Sequence, residues 1–137
     1  MELHYEVDGT NFLVAGEASG AVKRTLKQIG VEASIIRKIA ISMYEAEMNM
    51  VIHAEGGVID VEITSEKVFI RLKDRGPGIP NIDLAMQEGY STASHEIREL
   101  GFGAGMGLPN MKKYSDDLKI TSEVGVGTTV ELSVFLH

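Results

Sequence analysis

The chain contains no cysteine among its 137 residues, which excludes disulfide bonds and thiolate metal sites and is typical of a reducing compartment. Basic residues are few, with thirteen Lys and Arg against twenty Asp and Glu and a formal net charge of −7. No cluster of them is large enough to form a stripe that binds phosphodiesters, so we expect no direct nucleic-acid partner. No apolar run approaches the roughly 18 residues of a membrane span, and the N-terminus has no signal-peptide pattern. We therefore expect a cytoplasmic protein without a membrane partner.

The length and composition, with 44% hydrophobic and 24% charged residues, are those of one globular domain. Hydrophobic spacing predicts a first strand, possibly a hairpin whose second strand is 11–15, then two helices, a hairpin, a loop, a third helix and a closing hairpin, with no repeat or linker. In the first helix, one apolar face contains Ala18, Val22, Leu26 and Ile29. We therefore predict a single domain over residues 1–137 with an α+β fold. It is a two-layer α/β sandwich in which helices cover one face of a mixed, mostly antiparallel sheet.

The predicted second helix, residues 32–54, is apolar on nearly every side and must be largely buried. A polar stripe interrupts it at helical spacing, formed by Ser42, Glu45, Asn49 and His53. Burying such groups without partners would cost about 2–7 kcal/mol each. We therefore expect Glu45 and Asn49 to face a ligand, a partner or water, whereas we interpret Glu47 as a residue on a solvent-facing side.

Two polar residues are predicted to point inward at strand ends. Asp74 continues the parity of the apolar residues in its strand, and a tight turn containing Gly76 and Gly78 follows it. Thr128 shares the parity of the apolar residues in the last strand, so its hydroxyl should point where Asp74 points. An Asp that caps its own turn is the alternative interpretation, and the inward parity disfavours it.

Four glycines at alternate positions precede the third predicted helix: Gly101, Gly103, Gly105 and Gly107, with Met106 between the last two. Glycine costs backbone entropy, and a glycine-rich loop that enters a helix can wrap an anion with its N–H groups. A flexible surface loop is the alternative. The run has neither a P-loop ending nor dinucleotide-binding spacing, so it does not identify the ligand by itself.

These features stand in a fixed order: Glu45-x-x-x-Asn49, Asp74-x-Gly76-x-Gly78, the glycine run, and Gly127-Thr128. In that order they resemble the Bergerat ATP-binding fold of the GHKL superfamily over nearly the whole chain. Within that superfamily the sequence is most similar to bacterial anti-sigma factor serine/threonine kinases and the related switch-protein kinases. The stretches that carry this likeness are 44–53, 89–92, 105–108 and 122–130.

The resemblance implies ATP and Mg²⁺ as cofactors. Asn49 would hold Mg²⁺, and Glu45 would act as the general base. Asp74 and Thr128 would select adenine, with Gly76 and Gly78 close to the base, and the glycines from 101 to 107 would wrap the triphosphate. Arg98 is our candidate for a γ-phosphate contact. Residues 90–105 should form a lid that is mobile without nucleotide.

The implied function is a protein kinase that phosphorylates a serine on a STAS-type anti-sigma antagonist or similar switch protein. The alternative is a nucleotide-dependent module that sequesters a sigma factor or another regulator with little phosphoryl transfer; Glu45 favours the kinase. A histidine-kinase catalytic domain is expected less, because no helix with a phosphoacceptor histidine precedes the domain in this sequence. The resemblance also raises the option of a homodimer.

Overall fold

The computed structural model describes residues 1–8, 16–53, 56–75 and 107–136, and the account below concerns these residues. The elements in chain order are β1 (Glu2–Asp8), α1 (Glu17–Gln28), α2 (Ala33–His53), β2 (Gly56–Ile63), β3 (Lys67–Asp74), α3 (Gly107–Tyr114), β4 (Asp117–Glu123) and β5 (Gly127–Phe135).

The five strands form one sheet in the order β1-β2-β3-β5-β4, and each described pairing is antiparallel. Strand alternation gives the sheet two different faces. On the central strand β3, for example, Val68, Ile70 and Leu72 are buried, whereas Arg71 and Lys73 are exposed. The apolar face therefore supplies one wall of the core, and the charged face points away from it.

The helices supply the other wall of the core. α1 places Val22 and Leu26 inside with no exposed area, as its spacing predicts. Gly30 follows with a φ of 85°, which is the left-handed conformation that commonly ends a helix. Ile29, which the sequence places on the buried face, instead lies beyond the helix end and is 46% exposed. That expectation was wrong because the helical period stops at Gln28.

The helix α2 is the central support of the helical layer. It packs against α1, α3 and the sheet, and most residues of its second half are buried, whereas Arg37, Lys38 and Tyr44 are exposed. This explains its apolar composition, with Ile39, Met43 and Ala46 almost fully buried. Its two carboxylates have partners on the neighbouring helices: Glu47 on α1 and Glu45 on α3.

The predicted fold class is confirmed: helices cover one face of an open, antiparallel sheet. The β2–β3 and β4–β5 hairpins and the three helices occur where the sequence places them, with ends shifted by one or two residues. The predicted strand over 11–15 lies outside the described residues. Within the described ranges, no helix combines the length and hydrophobicity needed to span a bilayer.

Candidate functional site

Asp74 and Thr128 meet at one end of the sheet, on the neighbouring strands β3 and β5. The Thr128 backbone N–H donates a 2.8 Å hydrogen bond to Asp74 Oδ1. Thr128 is 6% exposed, and Asp74 is half-buried. The inward parity predicted for both residues is therefore confirmed, and the carboxylate at the end of a buried strand is bonded to the backbone of the neighbouring strand.

Glycines flank Asp74 on both neighbouring strands. Gly57 is opposite Asp74 in the β2–β3 register, and an added Cβ there would collide with the backbone of β3. A Cβ at Gly127 would collide with the Asp74 carbonyl and lie 3.1 Å from Asp74 Oδ1. Gly127 also has a φ of 150°, which is strained for other residues. The backbone can therefore close around Asp74 only with glycine at both positions.

Ser122 on β4 extends the pair formed by Asp74 and Thr128. Its hydroxyl oxygen lies 3.0 Å from the Thr128 hydroxyl, and either group can donate. A hydroxyl with a fixed partner keeps one preferred rotamer. The contact therefore holds the Thr128 hydroxyl beside β4.

The helix α2 supplies the second half of the site. Glu45 and Asn49 are one helical turn apart on the same face, and both are half-buried. From α3, the Asn110 side-chain amide donates a 3.3 Å hydrogen bond to Glu45 Oε1. The Glu45 carboxylate therefore lies between α2 and α3, with its polar atoms only partly withdrawn from water.

Met50, the residue after Asn49 on α2, connects the two halves of the site. The Met50 methyl group lies over Gly57, where an added Cβ would come within 2.8 Å of it. Since Gly57 is the register partner of Asp74, the Asn49–Met50 turn of α2 lies over the end of the sheet that carries Asp74. The Asn49 part of the predicted stripe on α2 and the predicted strand-end pair are thus brought to one end of the sheet.

Ser42, at the start of the stripe, is fully buried, and its hydroxyl forms no hydrogen bond among the described residues. It lies one turn before Glu45 on the same helix. Because Ser42 is buried, the stripe is not simply a side of α2 that faces solvent. This agrees with the expectation that the stripe faces more than water.

Glu47 corrects the sequence interpretation. It is not on a solvent-facing side: it is 2% exposed, and its carboxylate accepts hydrogen bonds from the start of α1, at the N–H groups of Gly16 and Ser19 and the Ser19 hydroxyl. The missed signal is the cap of α1, which is Gly16 and has no side chain to accept those bonds. A helix without a local cap requires an acceptor from elsewhere in the chain.

Several predicted site residues lie outside the described residues: Gly76, Gly78, Arg98, Gly101, Gly103, Gly105 and Met106. Their roles remain predictions, as does the lid expected over residues 90–105. The last glycine of the run, Gly107, begins α3, so the predicted passage from this run into a helix is confirmed.

The described residues contain no group of three or more His, Asp or Glu side chains suited to hold a metal ion. The Asn49 amide oxygen is a hard ligand on a half-buried face, and Mg²⁺ commonly takes one or two protein ligands together with water and substrate phosphates. Asn49 therefore fits a magnesium ion shared with a nucleotide, and the described part of the chain offers no dedicated metal cage.

The sequence is similar to those of known ATPases and kinases. Residues 36–137 match the family model described as "Histidine kinase-, DNA gyrase B-, and HSP90-like ATPase". The chain is 28% identical over 119 residues to the serine/threonine-protein kinase RsbT of Bacillus subtilis, covering 84% of each chain. It is 33% identical over 106 residues to the anti-sigma F factor of Thermoanaerobacter sp. strain X514, covering 74% of this chain and 71% of that protein.

Two solved structures share the fold. The structure of the RsbU and RsbW domains of a Mycobacterium tuberculosis protein matches with a TM-score of 0.67 at 20% identity, covering 98% of this chain and 32% of that chain. The mycobacterial sensor histidine kinase MprB matches with a TM-score of 0.55 at 16% identity, covering 97% of each chain. Since the family model spans most of the sequence, the chain belongs to the histidine kinase-, DNA gyrase B- and HSP90-like ATPase family.

Proposed function

We propose that this protein is an ATP-dependent serine/threonine kinase of the anti-sigma factor type, acting in the cytoplasm. The observation that carries the proposal is the half-buried pair Glu45 and Asn49 in the mostly buried second half of α2. The Asn49–Met50 turn of this helix lies over the strand end where Asp74 and Thr128 meet. The relatives named as a serine/threonine kinase and as an anti-sigma factor support it.

Asp74 and Thr128 would bind the adenine ring. Asp74 Oδ1 is bonded to the Thr128 N–H. A carboxylate can accept several hydrogen bonds, and Asp74 would accept one from the adenine amino group. The Thr128 hydroxyl, held by Ser122, would contact the same ring edge. Gly76 and Gly78, which follow Asp74 in sequence, would let the backbone approach the base.

Asn49 would hold Mg²⁺ through its amide oxygen, and the ion would neutralise charge on the phosphates of ATP. The glycines from Gly101 to Gly107, together with Met106, would contact the triphosphate. Arg98 is the only Lys or Arg in the sequence between residues 76 and 111 and would contact the γ-phosphate.

Glu45 would accept the proton of the attacking serine hydroxyl as that oxygen bonds to the γ-phosphorus and ADP leaves. The described geometry supports this role, because the Glu45 carboxylate is only half-buried and is not enclosed in the core. It accepts a hydrogen bond from Asn110 on α3. Asn110 would hold one carboxylate oxygen and leave the other to receive the proton.

The protein substrate would be a STAS-type anti-sigma antagonist or a similar switch protein, and a sigma factor would be a second partner. The relatives named anti-sigma F factor also support the second candidate function, an ATP-dependent module that sequesters its partner with little phosphoryl transfer. A homodimer would be compatible with either function.

One assay separates the two functions. The protein is incubated with Mg²⁺ and ATP labelled at the γ-phosphate, together with a STAS-type antagonist. We expect labelled antagonist with the wild type and none with Glu45→Ala, while Glu45→Ala still binds ATP. If ATP binds and no cognate antagonist acquires label, the kinase proposal fails and the binding module remains.

A further inference from the structure

The helix α2 carries a second carboxylate that the proposed chemistry does not use. Glu47 is two residues from Glu45 and therefore about 200° around the helix from it, whereas Asn49 is only about 40° away. Glu45 and Asn49 form the front of α2, toward α3, and Glu47 is on its back, toward α1. The two faces make different contacts at the same height of the helix.

On the back face, four donors at the start of α1 point to the Glu47 carboxylate. Glu47 Oε2 accepts from the Gly16 N–H at 2.9 Å and from the Ala18 N–H at 3.4 Å. Oε1 accepts from the Ser19 N–H at 2.9 Å and from the Ser19 hydroxyl at 2.7 Å. Both carboxylate oxygens are therefore bonded to the first turn of α1, in a position that is 2% exposed.

These contacts replace the cap that α1 lacks. The residue before α1 is Gly16, and no side chain caps the helix locally. The free N–H groups and the positive end of the helix dipole favour an anion at this point. Glu47 supplies that anion from 28 to 31 residues further along the chain, so the start of α1 is fixed to the middle of α2.

The hydrogen bonds between Glu47 and the start of α1, here called the Glu47 anchor, lie close to the proposed active-site residues on α2. Glu47 lies midway between Glu45 and Asn49, and it resists rotation of α2 about its own axis. A side chain ends about 5–6 Å from the helix axis, so a rotation of about 10° moves its tip by about 1 Å. Displacements of about 1 Å can cost on the order of 100-fold in rate.

We propose that Glu47 is a positioning residue, which sets the rotation of α2 and thereby aims Glu45 and Asn49 at the phosphates and Mg²⁺. This inference rests on the proposed function. Glu47 does not touch the nucleotide in this scheme, and its effect passes through the α1–α2 contact. Asp74 and Thr128 are on the sheet, so adenine binding does not depend on it.

The test compares Glu47→Gln and Ser19→Ala with wild type. Glu47→Gln keeps the shape of the side chain but replaces one acceptor with an amide donor; Ser19→Ala removes a single donor and leaves the buried carboxylate in place. The dissociation constant of ATP is measured with and without MgCl₂, and phosphoryl transfer is measured in single turnover. The matched control is Ile63→Val, a core change at the opposite end of β2 from Gly57. All variants are compared at temperatures where circular dichroism shows them folded.

We expect ATP affinity without Mg²⁺ to stay within about twofold of wild type in each variant, since the sheet contacts are independent of the anchor. In Glu47→Gln the gain in affinity on adding Mg²⁺ shrinks, and transfer falls by about tenfold or more. Ser19→Ala shows a smaller change of the same kind, and Ile63→Val shows none.

Two results would overturn the inference, and they are distinguishable. If folded Glu47→Gln and Ser19→Ala match Ile63→Val in both the Mg²⁺ gain and the transfer rate, Glu47 only stabilises the fold. If wild type binds no ATP, the proposed function fails, and the positioning role fails with it. Should Glu47→Gln not fold, the result with Ser19→Ala decides.

Discussion

The two faces of α2 place the same residue type in opposite situations. Glu47, on the back, is enclosed and bonded through both oxygens to the start of α1. Glu45, on the front, is half-buried and accepts one long hydrogen bond, from Asn110, among the described residues. A carboxylate whose lone pairs are filled by the protein holds structure together, whereas one with lone pairs left open can bind ligands and accept a proton. The two roles therefore differ because the hydrogen-bond partners differ, although the residue type is the same.

The largest expected effect is on the free energy of unfolding, which a substitution on the back face of α2 should lower far more than one on the front face. Glu47→Ala should lower the free energy of unfolding by at least about 2 kcal/mol, because a lost helix cap costs about 0.5–2 kcal/mol and each buried donor left unsatisfied costs about 1–3 kcal/mol. Glu45→Ala should change it by no more than about 0.5 kcal/mol, as expected for a partly exposed helix position. Chemical denaturation of both variants measures the difference. Equal losses in the two variants would remove the distinction.

Asp74, the carboxylate at the end of β3, should affect ATP affinity. Asp74→Asn keeps an oxygen that can accept from the Thr128 N–H but weakens an acceptor for the adenine amino group. We expect ATP affinity to fall about tenfold or more, since hydrogen bonds to charged groups contribute about 1.5–3 kcal/mol. Calorimetric titration with ATP measures this, with Asp117→Asn, an exposed position on β4, as the control. An unchanged affinity would exclude the adenine role of Asp74.

A smaller effect tests the single bond on the front face. Asn110→Ala removes the donor to Glu45 Oε1. We expect the transfer rate to fall about threefold to tenfold, the range of about 0.5–1.5 kcal/mol for one hydrogen bond, with ATP affinity unchanged. Lys112→Ala, on the exposed side of the same helix, is the control. If both variants behave alike, Asn110 does not orient Glu45.

The smallest effect concerns a carboxylate in open solvent. On the charged sheet face, Asp60 Oδ1 lies 2.6 Å from His4 Nδ1, and both side chains are 56% exposed. The hydrogen bond to Asp60, and then the nearby carboxylate charges, raise the pKa of His4 above its usual 6.5, against the opposing effect of desolvation.

Because the folded-state pKa of His4 is the higher one, its contribution to stability is complete below about pH 6.5 and is lost as pH rises through the folded-state pKa. NMR titration of His4 should give a pKa above 6.5 in wild type and a lower value in Asp60→Asn. The same pKa in both proteins would show that the contact contributes nothing in solution.

Local periodicity accounts for most of what the sequence predicts here. The period of two in β3 and β5 was sufficient to place Asp74 and Thr128 on the inner face, and the period of 3.6 placed Glu45 and Asn49 on one side of α2. The family and the function implied by the ordered motifs agree with the comparisons. The roles of individual site residues remain predictions.

The interpretation of Glu47 failed for a specific reason. On a helix that is apolar nearly all round, periodicity cannot say which side a lone polar residue faces, because no side is uniformly polar. The answer depended on the location of α1. The uncapped start of α1 was visible in the sequence, but only packing identified Glu47 as its acceptor.

The sequence by itself determined the elements, their buried faces and the set of polar residues that must find partners, because these follow from repeats of two and 3.6 residues within short segments. Only the tertiary structure decided the partners: Glu47 with Ser19 at a separation of 28 residues, Asp74 with Thr128 at 54, and Glu45 with Asn110 at 65. A hydrogen bond requires two groups within about 3 Å, and for residues so far apart the packing of helices on the sheet sets that distance.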